Sequence, residues 1–178
     1  SSRAFYQSVR NLSARAFDVL KSVKLSEPAG TLATALLQRK AAVRQVLDQA
    51  LLQPLSAPRM RVHGDFHLGQ VLYTGNDFYI IDFEGEPGRA PAERRRLRSP
   101  LADVAGMIRS LHYAAFGVLN MPLSGAQVRP EDREQLEPWA RAFYNACANA
   151  FLTQYLEAAG SSPFLASAPD ELRTLLRI

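Results

Sequence analysis

The residues that would tie this chain to an oxidising or a membrane environment are nearly missing. Cys147 is the single cysteine among 178 residues, which excludes an internal disulfide. No run approaches the roughly 18 consecutive apolar residues of a membrane span. The start, Ser1-Ser2-Arg3-Ala4-Phe5-Tyr6-Gln7, has no apolar signal core behind a basic end. A cytoplasmic protein with no membrane partner is the expectation. Lysine is scarce as well: Lys21, Lys24 and Lys40 all fall near the start, and every later cation apart from histidine is arginine.

What is present fits one well-buried domain over residues 1–178. Hydrophobic residues make up 47% of the sequence, and a chain near 150 residues buries roughly 70% of the surface it exposes when unfolded. The net charge of +4 suits nucleic acid, an acidic membrane surface or a small anionic ligand such as a nucleotide. Around the basic run Arg94 to Arg98 there are no interleaved aromatics for base stacking. That favours a solvated or phosphate-facing surface over a nucleic-acid partner.

Apolar residues at Phe5, Val9, Leu12, Ala16, Val19 and Val23 recur at steps of four and three, the spacing of an amphipathic helix. A second helix, capped at Thr31 and carrying Leu36, Val43, Leu47 and Ala50, is closed by Pro54 and Pro58. Val71 to Tyr73 and Phe78 to Ile81 flank the turn cluster Thr74-Gly75-Asn76-Asp77, which predicts a β-hairpin. A loop over Phe83 to Ser99 leads to a helix with Leu101, Val104, Ala105, Ile108, Leu111 and His112 in register, ending near Gly117. A long helix with Pro138 in its first turn carries Trp139, Phe143, Ala146, Ala150 and Phe151 as a stripe and ends at Gly160; Asp170 to Arg177 forms a last short helix. The expected class is α+β, mostly helical, with one small β element.

The chemistry concentrates in two strings, His63-Gly-Asp-Phe-His-Leu-Gly-Gln70 and, beyond the hairpin, Ile80-Ile-Asp-Phe-Glu-Gly-Glu-Pro-Gly-Arg89. The first supplies Asp65 from an irregular loop and the second supplies Asp82 from the end of a strand, and a hairpin returns its two ends to one place. Asp65 and Asp82, seventeen positions apart, are thereby expected in one cleft. His63 and His67 stand four apart, but Gly64 and the β-prone flanks argue against the helix that would turn both toward a zinc ion. Packing and hydrogen bonding under the loop is the reading for His63.

The first string is similar to the catalytic loop His-Gly-Asp-x-x-x-x-Asn of the small-molecule kinases that act on aminoglycosides and choline, relatives of the protein kinases. The second is similar to their metal-binding Asp-Phe-Gly segment. The resemblance implies the C-terminal lobe of a protein-kinase-like fold. It implies Asp65 as the catalytic base, Asp82 with Gln70 and Glu84 at Mg2+ carried with ATP, and Asp103 bracing the catalytic loop through backbone N–H groups. Gln70 replaces the usual asparagine, supplying the same amide oxygen on a longer stem. Together with Arg98-Ser-Pro-Leu-Ala-Asp-Val-Ala-Gly-Met107, these strings resemble the maltokinases, including those fused to trehalose synthase. That implies transfer of a phosphoryl group from ATP to maltose.

A neutral sugar needs hydrogen-bonding side chains and aromatic faces, and Asp65, His67, Arg109, Tyr113, Trp139 and Tyr155 are the candidates for it, with Trp139 also readable as core. The nucleotide-gripping lobe of such kinases carries a glycine-rich loop and a strand lysine. Neither is found here, so the chain is expected to be one lobe of a longer protein and inactive alone. The competing reading is a module that has lost catalysis and serves binding or assembly beside a carbohydrate enzyme.

Overall fold

The structure, a computed structural model, describes residues 2–49, 57–120, 128–166 and 168–177. They fall into two compact units, one from residues 1–57 with 166–178 and the other from 58–165.

In the first unit, helices α1 (Ser2–Ser22), α2 (Ala29–Gln38) and α3 (Lys40–Gln49) pack on one another, and α7 (Pro169–Arg177) completes it. Its buried residues among those described are Tyr6, Phe17, Leu47, Ala166 and Glu171, with the Tyr6 hydroxyl donating to Asp48 across the α1–α3 contact. The expected stripe of α1 is displaced: Leu12, Val19 and Val23 are exposed, and the inward face runs through Tyr6, Val9, Ser13, Phe17 and Leu20. The single helix expected between Pro28 and Pro54 is two, because Arg39 caps α2 with its N–H on the Leu36 carbonyl before α3 begins. Thr31 lies inside α2 and bonds back to Glu27. Ala50 and Pro54 lie outside the described residues.

The second unit carries the chemistry. Strands β1 (Val71–Tyr73) and β2 (Phe78–Ile80) form an antiparallel hairpin pairing Val71 with Ile80, Leu72 with Tyr79 and Tyr73 with Phe78. The Ile81 N–H reaches the Gln70 carbonyl at 3.0 Å, extending the ladder by one bond. A short α4 (Pro91–Arg94) interrupts the loop expected from Phe83 to Ser99. Met60 and Arg98 exchange two backbone bonds of 2.9 Å, which ties the chain ahead of the first string to the chain ahead of α5.

Helix α5 (Leu101–Asn120) opens with the Ser99 hydroxyl accepting from the Leu101 N–H at 3.3 Å. It buries Leu101, Val104, Met107, Ala115 and Leu119, mainly against α6 (Arg133–Ala159). It passes through Gly117 rather than stopping there. Burying Leu119 is worth about 2 kcal/mol, which outweighs the cost of about 1 kcal/mol for an internal glycine. Helix α6 likewise begins before Pro138, which forfeits only the bond to the Glu134 carbonyl. Its inward face runs through Ala140, Tyr144, Cys147, Ala148, Phe151, Tyr155 and Ala159, leaving Trp139 75% exposed and Phe143 57% exposed. Among the described residues no helix is long and apolar enough to cross a membrane.

Candidate active site

One face of α5 holds the loop that carries Asp65. Asp103, Gly106 and Ser110 recur at three and four residues, so they share that face. The Asp103 carboxylate accepts from the His63 N–H at 2.7 Å and from the Gly64 N–H at 2.9 Å. Ser110 Oγ accepts from the Leu68 N–H at 2.9 Å. Between them Gly106 lets the backbone approach: a Cβ there would stand 2.6 Å from the Phe66 carbonyl oxygen, a distance real side chains do not tolerate.

On its other side the loop is held to the hairpin. The buried His63 ring places Nε2 2.7 Å from the Ile81 carbonyl, so Nε2 carries the proton and donates. Nδ1 is then the acceptor that faces the Asp65 N–H at 3.4 Å. Phe66 and Phe83 flank the ring with centroids 5.5 and 4.9 Å away. Gly64 (φ +85°) and Gly85 (φ +79°) meet back to back, and a Cβ on Gly64 would lie 3.5 Å from the Gly85 Cα. The two strings are therefore in contact at residues that only glycine occupies without strain.

Asp65 and Asp82 stand at the two ends of a row of neighbouring side chains. Asp65 Oδ2 lies 3.9 Å from His67 Nε2, Gln70 Nε2 donates to Asp82 Oδ2 at 3.1 Å, and His67 Nε2 and Gln70 Nε2, both donors, stand 3.5 Å apart. His67 Nδ1 accepts from the Gly69 N–H at 3.0 Å, which leaves its proton on Nε2, toward Asp65. Asp82 itself sits at φ +63°, the left-handed region that aspartate visits more readily than most residues. That conformation lifts its carboxylate out of the strand line toward Gln70. Glu84, by contrast, is directed to Arg94, with 3.9 Å between Oε2 and Nη1.

A cavity of about 680 Å³ opens beside Asp65. Five residues named from sequence, Asp65, His67, Asp103, Arg109 and Tyr113, line it together with Glu86, Arg89 and Arg98. Arg109 stacks on Tyr113, 5.3 Å from the ring centroid, and donates to its hydroxyl at 2.7 Å. Trp139 and Tyr155 are not brought to this wall. Tyr155 is half-buried on the inward face of α6, and burial, then the negative charge of Asp103, push its phenol above the ordinary range. Sequence reasoning missed Gly106, Ser110, Glu86 and Arg89. The spacing Asp103, Gly106, Ser110 was the available signal for the first two; nothing local marks the others.

The profile of the phosphotransferase enzyme family matches residues 14–139, most of the chain. The chain belongs to that family. Within it, the chain is 46% identical over 57 residues to a glucosamine kinase of Streptacidiphilus jiangxiensis, covering 32% of this chain and 13% of that protein. A glucosamine kinase of Mycolicibacterium smegmatis is 48% identical over 59 residues, covering 33% and 14%. A solved glucosamine kinase in complex with glucosamine, ADP and inorganic phosphate superposes with a TM-score of 0.71 at 25% identity, over 99% of this chain and 40% of that one. A second crystal form gives a TM-score of 0.72 at 24% identity, over 99% and 38%. The chain therefore has the helix-rich fold of those kinases with its small two-stranded sheet, and it spans about two-fifths of their length.

Proposed function

We propose that this chain is the C-terminal catalytic lobe of an ATP-dependent kinase that phosphorylates a hydroxyl of a small sugar. The observation that carries this reading is the row of neighbouring side chains that runs from Asp65 and His67, at the cavity, to Gln70 and Asp82 at the end of the hairpin. Phosphoryl transfer asks a protein mainly to position reactants and to balance charge. Asp65 accepts the hydrogen bond of the acceptor hydroxyl and takes its proton as the oxygen bonds to the γ-phosphorus and ADP departs. His67, with its proton toward Asp65, orients that carboxylate. His63 and Asp103 fix the backbone on which it sits.

Magnesium is held in such enzymes by one or two protein oxygens plus phosphates and water, and the hard oxygens of Asp82 and Gln70, side by side at the hairpin's end, fit that demand. The ion supplies neutralisation of phosphate charge when bound with ATP. To hold it, the Gln70 amide would present Oε1 rather than Nε2, a rotation that exchanges two nearly isosteric ends. Glu84, paired with Arg94, serves the segment after Asp82 in this reading.

Two acceptors are supported by different observations. Glucosamine is favoured by the named relatives, and Glu86 beside Asp65 on the cavity wall offers an ammonium group a counter-charge. Maltose, with a trehalose synthase partner, is supported by the resemblance of the residue strings alone. The test is ADP release by the protein that joins this chain to a nucleotide-binding lobe, with Mg2+, ATP and glucosamine, maltose, glucose, choline or an aminoglycoside. Sugar-dependent release that Asp65→Asn lowers by a factor of about 100 or more is expected. Release with no sugar, or an Asp65→Asn protein as active as the parent, overturns the proposal and favours a binding or assembly role.

A further inference from the structure

Three arginines, Arg89, Arg98 and Arg109, line the cavity beside Asp65. None of them forms an ion pair with a described carboxylate, whereas Arg94 pairs with Glu84, Arg129 with Asp132 and Arg141 with Glu137. Each is nevertheless fixed in place. Arg98 is anchored by the paired backbone bonds to Met60 and donates from its side chain to the Glu93 carbonyl at 3.5 Å. Arg109 is held by its ring contact and hydrogen bond to Tyr113, and the Arg89 N–H donates to the Glu86 carbonyl at 3.0 Å. Of the three acids on the same wall, Asp103 is committed to two backbone N–H groups, Asp65 faces His67, and Glu86 is the third.

Arg98 is half-buried, while Arg89 and Arg109 are exposed. Burial, followed by the like charge of Arg89, lowers the affinity of Arg98 for its proton, with Glu93 and Asp103 acting in the opposite sense. A guanidinium presents a planar fork of donors that matches phosphate oxygens. Gln70 and Asp82 are not among the residues lining this cavity, which separates the arginine wall from the pair assigned above to the nucleotide's metal. A volume of about 680 Å³ accommodates far more than an inorganic ion, within the range of small-molecule sites.

We propose that Arg89, Arg98 and Arg109 form a phosphate-monoester subsite on the acceptor side of Asp65, filled by a sugar phosphate. Its identity as the site of the phosphorylated product rests on the kinase reading; the binding of a phosphate monoester does not. Titration calorimetry on the 178-residue chain, in low-chloride buffer without ATP or Mg2+, compares glucose 6-phosphate, glucose and inorganic phosphate. Glucose 6-phosphate is expected to bind at least tenfold more tightly than either of the others. Arg98→Gln and Arg109→Gln are each expected to weaken it by roughly tenfold, and Arg109→Gln, on an exposed turn of α5, keeps the test valid where Arg98→Gln fails to fold. Inorganic phosphate binding as tightly as the sugar phosphate reduces the site to an adventitious ion only and overturns the proposal. So does sugar-phosphate binding that neither variant changes, or none at all. Because no step of this measurement needs catalysis, failure of the kinase assay leaves its outcome standing.

Discussion

Asp103→Ala probes the coupling between α5 and the loop that carries Asp65. The half-buried carboxylate accepts from two backbone N–H groups at 2.7 and 2.9 Å. A hydrogen bond to a charged group contributes about 1.5–3 kcal/mol, so two give an upper bound near 6 kcal/mol. Both bonds end on one carboxylate, and truncation opens a half-buried site to water that re-solvates the freed donors. We therefore expect a loss of about 3 kcal/mol, with Asp103→Asn, which keeps one acceptor oxygen, losing about half of that. For a unit of this size the alanine change corresponds to a fall in Tm of about 10 °C. Thermal melts of the 178-residue chain followed by far-UV circular dichroism at pH 7 measure it directly. An Asp103→Ala chain melting within about 1 °C of the parent refutes the claim that this carboxylate holds the loop.

Two further perturbations separate local crowding from charge. Gly106→Ala forces a Cβ to within 2.6 Å of the Phe66 carbonyl and is expected to cost about 1–3 kcal/mol, whereas Gly117→Ala, in the same helix with open space around it, is expected to gain about 0.5–1 kcal/mol; equal effects in denaturant melts would count against the close approach. Tyr155 has a folded-state pKa raised by burial and by Asp103, so its contribution to stability is complete below the unfolded phenol pKa of about 10 and is lost as pH rises through the folded value. Tyr155→Phe is expected to flatten that alkaline loss, and a variant that loses stability above pH 10 as steeply as the parent argues against the phenol as its source.

The catalytic segment was legible because its turn chemistry is written locally. Gly75 and Asp77 mark the hairpin turn, and Gly64 and Gly85 mark the places where two loops touch. Helix existence was legible too, but helix facing was not. In both α1 and α6 the apolar residues form two neighbouring stripes of the same period, and only the partner surface decides which is covered. Phe17 and Tyr155 turn inward while Val19 and Trp139 turn out. The break at Arg39 has no glycine or proline to announce it, and Leu36, Val43 and Leu47 keep helical spacing across it. The left-handed backbone of Asp82 is equally silent in the sequence, since aspartate tolerates that region without requiring it.

The same contrast separates the groups that hold the loop from the groups that face the cavity. The distance between Asp65 and Asp82 is governed by the His63 ring, bonded to the Ile81 carbonyl and facing the Asp65 N–H, and by α5, which grips the same loop through Asp103 and Ser110. Those groups bond mostly to main chain, so they set geometry without reference to any acceptor. Arg89, Arg98, Arg109 and Glu86 stand on the cavity wall. Exchanging one of them alters which charges a ligand meets there while the loop keeps its two anchors. In the kinase reading proposed above, acceptor choice is free to change on this scaffold while the placement of Asp65 stays constant, so glucosamine and maltose are left to be separated by experiment.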